Sequence, residues 1–151
     1  MVILIDVHGD DCALFCAHLA LRYKPSVVVT HLSVPIREVD EAMDALGCKW
    51  TSLPLEVIPQ LDYEVVIAPA WEKAGLPEHN LVAEFVNEHF PDAIRYLTYA
   101  GHPRRKSRSP NEVEFKPEWL FAKHRALAAF ESQAATPSWV HFQEDLREYI
   151  T

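Results

Sequence analysis

The chain has 151 residues, of which 49% are apolar and 24% charged, and a formal net charge of −8. That length buries one ordinary core, and the acidic balance argues against broad affinity for nucleic acid, which depends on many Lys and Arg contacts to phosphate. No stretch approaches the roughly 20 apolar residues of a membrane span, and the opening MVILIDVHGDD lacks the basic segment that leads a signal peptide.

In chain order, strand-like runs alternate with helix-like ones, the pattern of a parallel sheet with helices on its faces. VILIDV (2–7) is continuous and β-branched, as a buried central strand requires. CALFCAHLALRY predicts a helix closed by Pro25, and SVVVTHL (26–32) a second strand. REVDEAMDALG predicts an amphipathic helix stopped at Gly47. The segment 48–62 is ambiguous, with a short strand expected around 49–53. YEVVIAPA (63–70) is the next strand, HNLVAEFVNEHF a helix halted before Pro91, and IRYLTYA (94–100) a further strand. After a basic loop, KPEWLFAKHRALAAFESQ predicts a long helix with Pro117 in its first turn. WVHFQEDLREYI predicts a last helix. No repeat, low-complexity segment or linker interrupts this pattern, so a single domain over 1–151 is expected.

The chemistry concentrates at DVHGDD, residues 6–11, where one histidine and three acids crowd the end of the first strand. Ligands of open parallel sheets collect at the carboxyl ends of strands, and like charges gather there at a cost unless a cation or a mobile proton offsets it. Imidazole and carboxylate are ordinary zinc ligands, and a catalytic zinc keeps three protein ligands and one open position. His8 and Asp11 fit two of them, with Asp10 beside them as a base. The bland alternative is a turn in which Asp10 or Asp11 caps the following helix. Asp6 is assigned no direct role.

A third ligand comes from another loop. GLPEHN places His79 at a helix start, with Glu78 as a partner that orients its ring. His102 in YAGHP and His31 are its competitors; His18, His89, His124 and His141 fall in helical patterns and read as surface or packing residues. Arg104 to Arg108 (RRKSR) reads first as a solvated turn beside Ser-Pro-Asn, with a hold on a substrate phosphate as the alternative. Trp71 sits in the same loop as Gly75 and is a weak substrate contact; Trp119 reads as packing. Cys12, Cys16 and Cys48 are odd in number, form no CxxC pair and suit a reducing, cytoplasmic setting.

VHGDDCALFCAHLA resembles the (A)HPDDE motif that opens the PIG-L/LmbE-like zinc-dependent deacetylases. GLPEHNLVAEFV is similar to that family's HPDHxxV segment, and FKPEWLFAKHRALAAFESQ to its KxxALxxYxSQ stretch, here Lys123, Ala126, Leu127, Phe130, Ser132 and Gln133. REVDEAMDALG loosely matches its arginine- and glutamate-containing helix ending in LG. The resemblance spans most of the chain. It implies an α/β, Rossmann-like, mostly parallel sheet flanked by helices, one Zn2+ per chain, and removal of an acyl group, usually acetyl, from N-acetylglucosamine-type sugars and related conjugates. It further implies His8, Asp11 and His79 as ligands, Asp10 as general base and Arg37 as a substrate-binding group.

The sequence departs from the family at Gly9, where the family has proline, and at Cys12, where it has glutamate. FCAH replaces a small, often Gly-Gly, pair. Leu76 replaces the first histidine of HPDH, which serves the oxyanion there; His102, Tyr99 and Arg37 are the candidate substitutes in this chain. The expected partner is a small-molecule or glycoconjugate substrate, without direct nucleic-acid or membrane binding and with room for a homo-oligomer. Two rival readings share the acidic turn: a metal-dependent phosphoesterase, which needs more carboxylates than the other loops offer, and a non-catalytic relative that binds a sugar or a protein.

Overall fold

The computed structural model describes residues 1–73, 75–98, 111–114, 116–136, 139 and 146–151. Its strands are β1 (Val2–Asp6), β2 (Ser26–Val29), β3 (Lys49–Ser52), β4 (Val65–Pro69), β5 (Ile94–Tyr96), β6 (Asn111–Glu112) and β7 (Tyr149–Ile150). Its helices are α1 (Asp11–Phe15), α2 (Ala17–Tyr23), α3 (Ile36–Leu46), α4 (Pro77–His89) and α5 (Pro117–Ala128), with a 3-10 helix at Leu55–Gln60. The strands form one sheet in the order β3-β2-β1-β4-β5-β7-β6. The first five run parallel, and β7 pairs antiparallel with both β5 and β6.

Alternation along the strands sorts the core into two layers. Leu4, Val27, Val29 and Ile67 face α1, α2, α3 and α5 through Phe15, Leu19, Met43 and Leu127. Ile3, Ile5, Val28 and Val66 face the 3-10 helix and α4 through Ile58, Val82 and Val86. A sheet covered on both faces explains why β1, β2 and β4 read as nearly unbroken apolar runs. α3 ends as expected: Gly47 is left-handed (φ +67°), its N–H bonds to the Asp44 carbonyl, and the Cys48 N–H bonds to the Met43 carbonyl. The strand expected near 49–53 is β3.

Two predicted helices are corrected. The run over 12–23 is broken at Cys16 (φ −145°, ψ 25°) into α1 and α2. In an unbroken helix the His18 N–H would bond to the Leu14 carbonyl. Here His18 N–H donates to Glu148 Oε2 at 2.8 Å, and the Leu14 carbonyl accepts from Lys123 Nζ at 3.1 Å. Lys123 Nζ and Glu148 Oε1 close the gap at 2.6 Å, both fully buried. An ion pair from distant parts of the chain thus occupies the place of one helical hydrogen bond.

The predicted last helix over 139–150 does not reach its end: Tyr149–Ile150 is strand β7. The far edge of β5 presents unpaired backbone groups, and the terminus supplies them. Leu97 N–H bonds to the Tyr149 carbonyl at 2.9 Å and Thr151 N–H to the Arg95 carbonyl at 3.0 Å. α5 stops at Ala128, short of the predicted Gln133, and β5 stops at Tyr96. Among the described residues no helix is long and apolar enough to cross a membrane.

Candidate metal centre

Strand order reverses between β1 and β4: the chain leaves β1 towards β2 on one side and reaches β4 on the other. The loops leaving these two strands therefore diverge and open a crevice at their carboxyl ends. The turn after β1 is built around two buried carboxylates. Asp6, at the last position of the strand, accepts the Gly9 N–H at 2.6 Å and the Cys12 N–H at 2.9 Å. Asp11, at the start of α1, reaches back so that Oδ2 accepts the Val7 and His8 N–H groups at 3.0 and 2.9 Å. The parallel ladder continues past β2 to hold the same turn, with His31 N–H on the Val7 carbonyl and Ser33 N–H on the His8 carbonyl.

Gly9 is required by this geometry. Its φ is +102°, and a Cβ there would stand 2.9 Å from Val34 Cγ2 and 3.1 Å from both Leu32 Cδ1 and Val39 Cγ2. Proline, with φ fixed near about −65°, cannot take this conformation, so the turn differs in backbone from one built on the family's tetrapeptide.

The loop after β4 delivers the third group. His79 lies in the first turn of α4, is buried, and places Nε2 3.0 Å from Asp11 Oδ1. On the other side of the carboxylate, His8 Nδ1 is 3.6 Å from Oδ2. The two imidazoles lie 4.9 Å apart, tilted by 38°. His8, Asp11 and His79 each offer one ligand atom within 4.8 Å of the other two, and they are the one such group among the described residues.

His79 Nε2 and His8 Nδ1 approach the two different oxygens of Asp11 at 3.0 and 3.6 Å, and one ligand atom from each of the three residues lies within 4.8 Å of the others, against the roughly 3.4 Å between two ligands about 2.1 Å from a tetrahedral zinc. His79 Nδ1 is buried without a hydrogen-bond partner among the described residues, and Nε2 faces the Asp11 carboxylate at 3.0 Å, so an imidazole nitrogen and a carboxylate oxygen already stand together as a ligand pair. His8 is only partly buried, so the group is open on one side, as a site that admits water must be.

The electrostatics separate the three acids. Burial raises the pKa of Asp11, but His79 and His8 outweigh it and hold the carboxyl below its ordinary range. Asp6 is raised, first by burial and then by Asp11 and Asp10. Asp10 is pushed up to about 7 by burial and by the charge of Asp11. Asp10 occupies the N-cap position of α1 yet makes no side-chain capping bond, and Asp11 spends its acceptors on residues before it, so neither acid serves as the expected cap. Contact with Asp11 raises His8.

Other expected site residues fall elsewhere. Arg37 is exposed at the start of α3, 3.1 Å from Glu41 and 3.5 Å from Glu131, so its guanidinium is engaged with surface carboxylates. Glu78 is exposed in the first turn of α4 and makes no hydrogen bond to the His79 ring; its side chain leaves the helix on the solvent side. His31 Nδ1 lies 3.0 Å from Thr30 Oγ1. Trp71 and Leu76, on the loop after β4, are 51% and 41% exposed. Tyr99, His102 and the basic run Arg104 to Arg108 lie outside the described residues. Asp6, assigned no role from sequence, proves to be the organiser of the turn. Its place as the last residue of β1, one before the turn, was the available signal.

No family model matches the chain, and no curated protein matches it. Among solved structures it is similar to GalB, the 4-carboxy-2-hydroxymuconate hydratase from Pseudomonas putida KT2440, with a TM-score of 0.64 and 11% identity. The match covers 95% of this chain and 82% of that one. At that identity the likeness is one of fold.

Proposed function

We propose that this chain is a cytoplasmic, zinc-dependent hydrolase of the PIG-L/LmbE-like kind, which removes an N-acyl group, usually acetyl, from an amino sugar or a related conjugate. The observation that carries the reading is the convergence of His8, Asp11 and His79 at the sheet's crossover, with Asp10 uncapped beside them. The strand order β3-β2-β1-β4-β5 supports a Rossmann-like sheet, whose ligands sit at this reversal.

His8 Nδ1 or Nε2, one Asp11 oxygen and His79 Nε2 would hold the ion. When bound, zinc supplies a Lewis acid and brings the pKa of a water from about 15.7 towards about 7. Asp10 takes a proton from the attacking water as the water's oxygen bonds to the amide carbon. The carbon–nitrogen bond then breaks, and Asp10 returns the proton to the departing nitrogen, leaving a carboxylic acid and a free amine. Both tasks call for a carboxyl that is free to take and return a proton, and Asp10 makes no side-chain capping bond that would occupy it. Asp11 does not share that work, because its carboxylate is committed to two amides and two imidazoles. The donor to the developing oxyanion would come from the segment after β5, which carries Tyr99 and His102. Arg37 is not needed for it.

The test is amine release from a panel of N-acetylated amino sugars and nucleotide-linked sugars, read with an amine-reactive fluorophore, for wild type and Asp10→Asn. Release by the wild type and at least a hundredfold less by the variant, with zinc content unchanged, supports the reading. Zinc lost from Asp10→Asn contradicts the assignment of base and ligand. Because the solved neighbour is a hydratase, water addition to an unsaturated acid belongs in the same panel, and turnover there alone replaces hydrolysis with hydration.

A further inference from the structure

Among the described residues, the Asn80 side chain ties the two ends of the loop between β4 and α4 together. Asn80, the residue after His79, accepts the Glu72 N–H with Oδ1 at 3.0 Å and donates from Nδ2 to the Glu72 carbonyl at 2.9 Å. The Gly75 N–H donates to that carbonyl as well, at 2.8 Å. A Cβ at Gly75 would stand 3.0 Å from Asn80 Oδ1 and 3.1 Å from the Glu72 carbonyl oxygen, so a side chain there would press on the closure. Glu72 also reaches the segment just past β5: Oε2 accepts the Thr98 N–H at 2.8 Å and the Thr98 hydroxyl at 2.5 Å, and both residues are buried.

Helices are commonly fixed at their start by a side-chain cap, but Leu76 stands at the N-cap of α4 and provides none. Asn80 supplies the anchorage instead, from within the first turn. Successive residues of a helix point about 100° apart. Asn80 can therefore face the loop while His79 faces Asp11.

We propose that Asn80 and Glu72 are positioning residues for the candidate metal centre. The clasp sets the height and rotation of the first turn of α4 relative to β4 and β5, and so delivers the His79 imidazole to the Asp11 carboxylate. The consequence for zinc rests on the metal reading given above; the consequence for the His79 ring does not.

The test compares wild type, Asn80→Ala and Val86→Ala. Val86 is fully buried in the same helix and away from the clasp, so it controls for lost stability. Ring nitrogen and carbon-bound proton signals of the histidines are recorded by NMR on the metal-free full chain, with His79→Ala to identify the His79 set. Zinc affinity is then measured by competition with a chelating dye. Asn80→Ala is expected to move or broaden the His79 signals while those of His18 and His31 stay in place, and to weaken zinc about 10–100-fold, the usual effect of losing an outer support of a ligand. Val86→Ala is expected to melt earlier with its His79 signals and zinc affinity unchanged. His79 signals unmoved in Asn80→Ala, or zinc weakened no more than in Val86→Ala, would overturn the proposal. Should the wild type take up no zinc, the metal reading fails, and the ring signals alone support or overturn the clasp.

Discussion

Asp11 Oδ1 lies 3.0 Å from His79 Nε2, while its Oδ2 accepts two backbone N–H groups of the turn after β1. One carboxylate thus folds its own turn and faces the loop of another strand. Asparagine at this position keeps an acceptor for the turn but loses the charge. Asp11→Asn is expected to stay folded by circular dichroism and to lose zinc. Asp11→Ala leaves a buried and a part-buried donor unsatisfied and should cost about 2–6 kcal/mol in urea unfolding, at roughly 1–3 kcal/mol for each donor. A variant Asp11→Asn that keeps stoichiometric zinc would remove Asp11 from the ligand set.

The turn makes a second demand, at Gly9. Gly9→Pro writes the family's tetrapeptide into the chain, yet the ring cannot adopt φ +102° and would press on Val34, Leu32 and Val39. We expect a loss of at least about 3 kcal/mol, the scale of a proline forced into an incompatible backbone, together with weaker zinc binding. Wild-type stability in Gly9→Pro would mean that the turn has a different backbone.

How much of this was legible in the sequence depends on how far each cause lies along the chain. β1 and the Gly47 stop of α3 follow from apolar runs and local turn chemistry, and match the sequence; α4 begins at Pro77, two residues before the expected start at His79. His8, Asp11 and His79 were expected to share an ion, and the structure brings them together. The break at Cys16 was not legible, because Lys123 and Glu148, which occupy it, lie 109 and 130 residues from their backbone partners. Nor was β7, since Tyr149 and Ile150 become a strand only where the edge of β5 awaits them. The turn-holding bonds of Asp6 and the outward placement of Glu78 were not legible for a simpler reason: a period-2 or helical pattern gives a face, and at an element's end the face is ambiguous.

The buried pair at the helix break carries its own prediction. Lys123→Met leaves Glu148 charged and buried without its partner, and should destabilise the protein by about 3–5 kcal/mol. Lys123→Met combined with Glu148→Leu removes the stranded charge and should recover a good part of that loss in denaturant unfolding. A double variant less stable than the single would show that the Glu148 bond to the His18 N–H matters more than the charge balance.

His18 predicts a pH dependence. Burial, with help from Lys123 and against the pull of Glu148, lowers its pKa below 6.5. The unfolded chain therefore binds a proton more readily than the folded one, and stability falls as pH drops below about 6.5. His8 shifts the opposite way, so the contribution is isolated by difference. The stability of wild type minus that of His18→Gln should decline between about pH 6.5 and 5. A flat difference would mean that His18 titrates equally in both states.

The central claim is that His8, Asp11 and His79 hold one metal ion. Its most direct test is the metal content of the full chain, purified without added metal or a histidine tag and measured by plasma mass spectrometry beside His79→Ala. The account predicts about one zinc per chain, as three protein ligands and an open position imply, and its loss in the folded variant. A folded wild type that remains metal-free after incubation with zinc would contradict it.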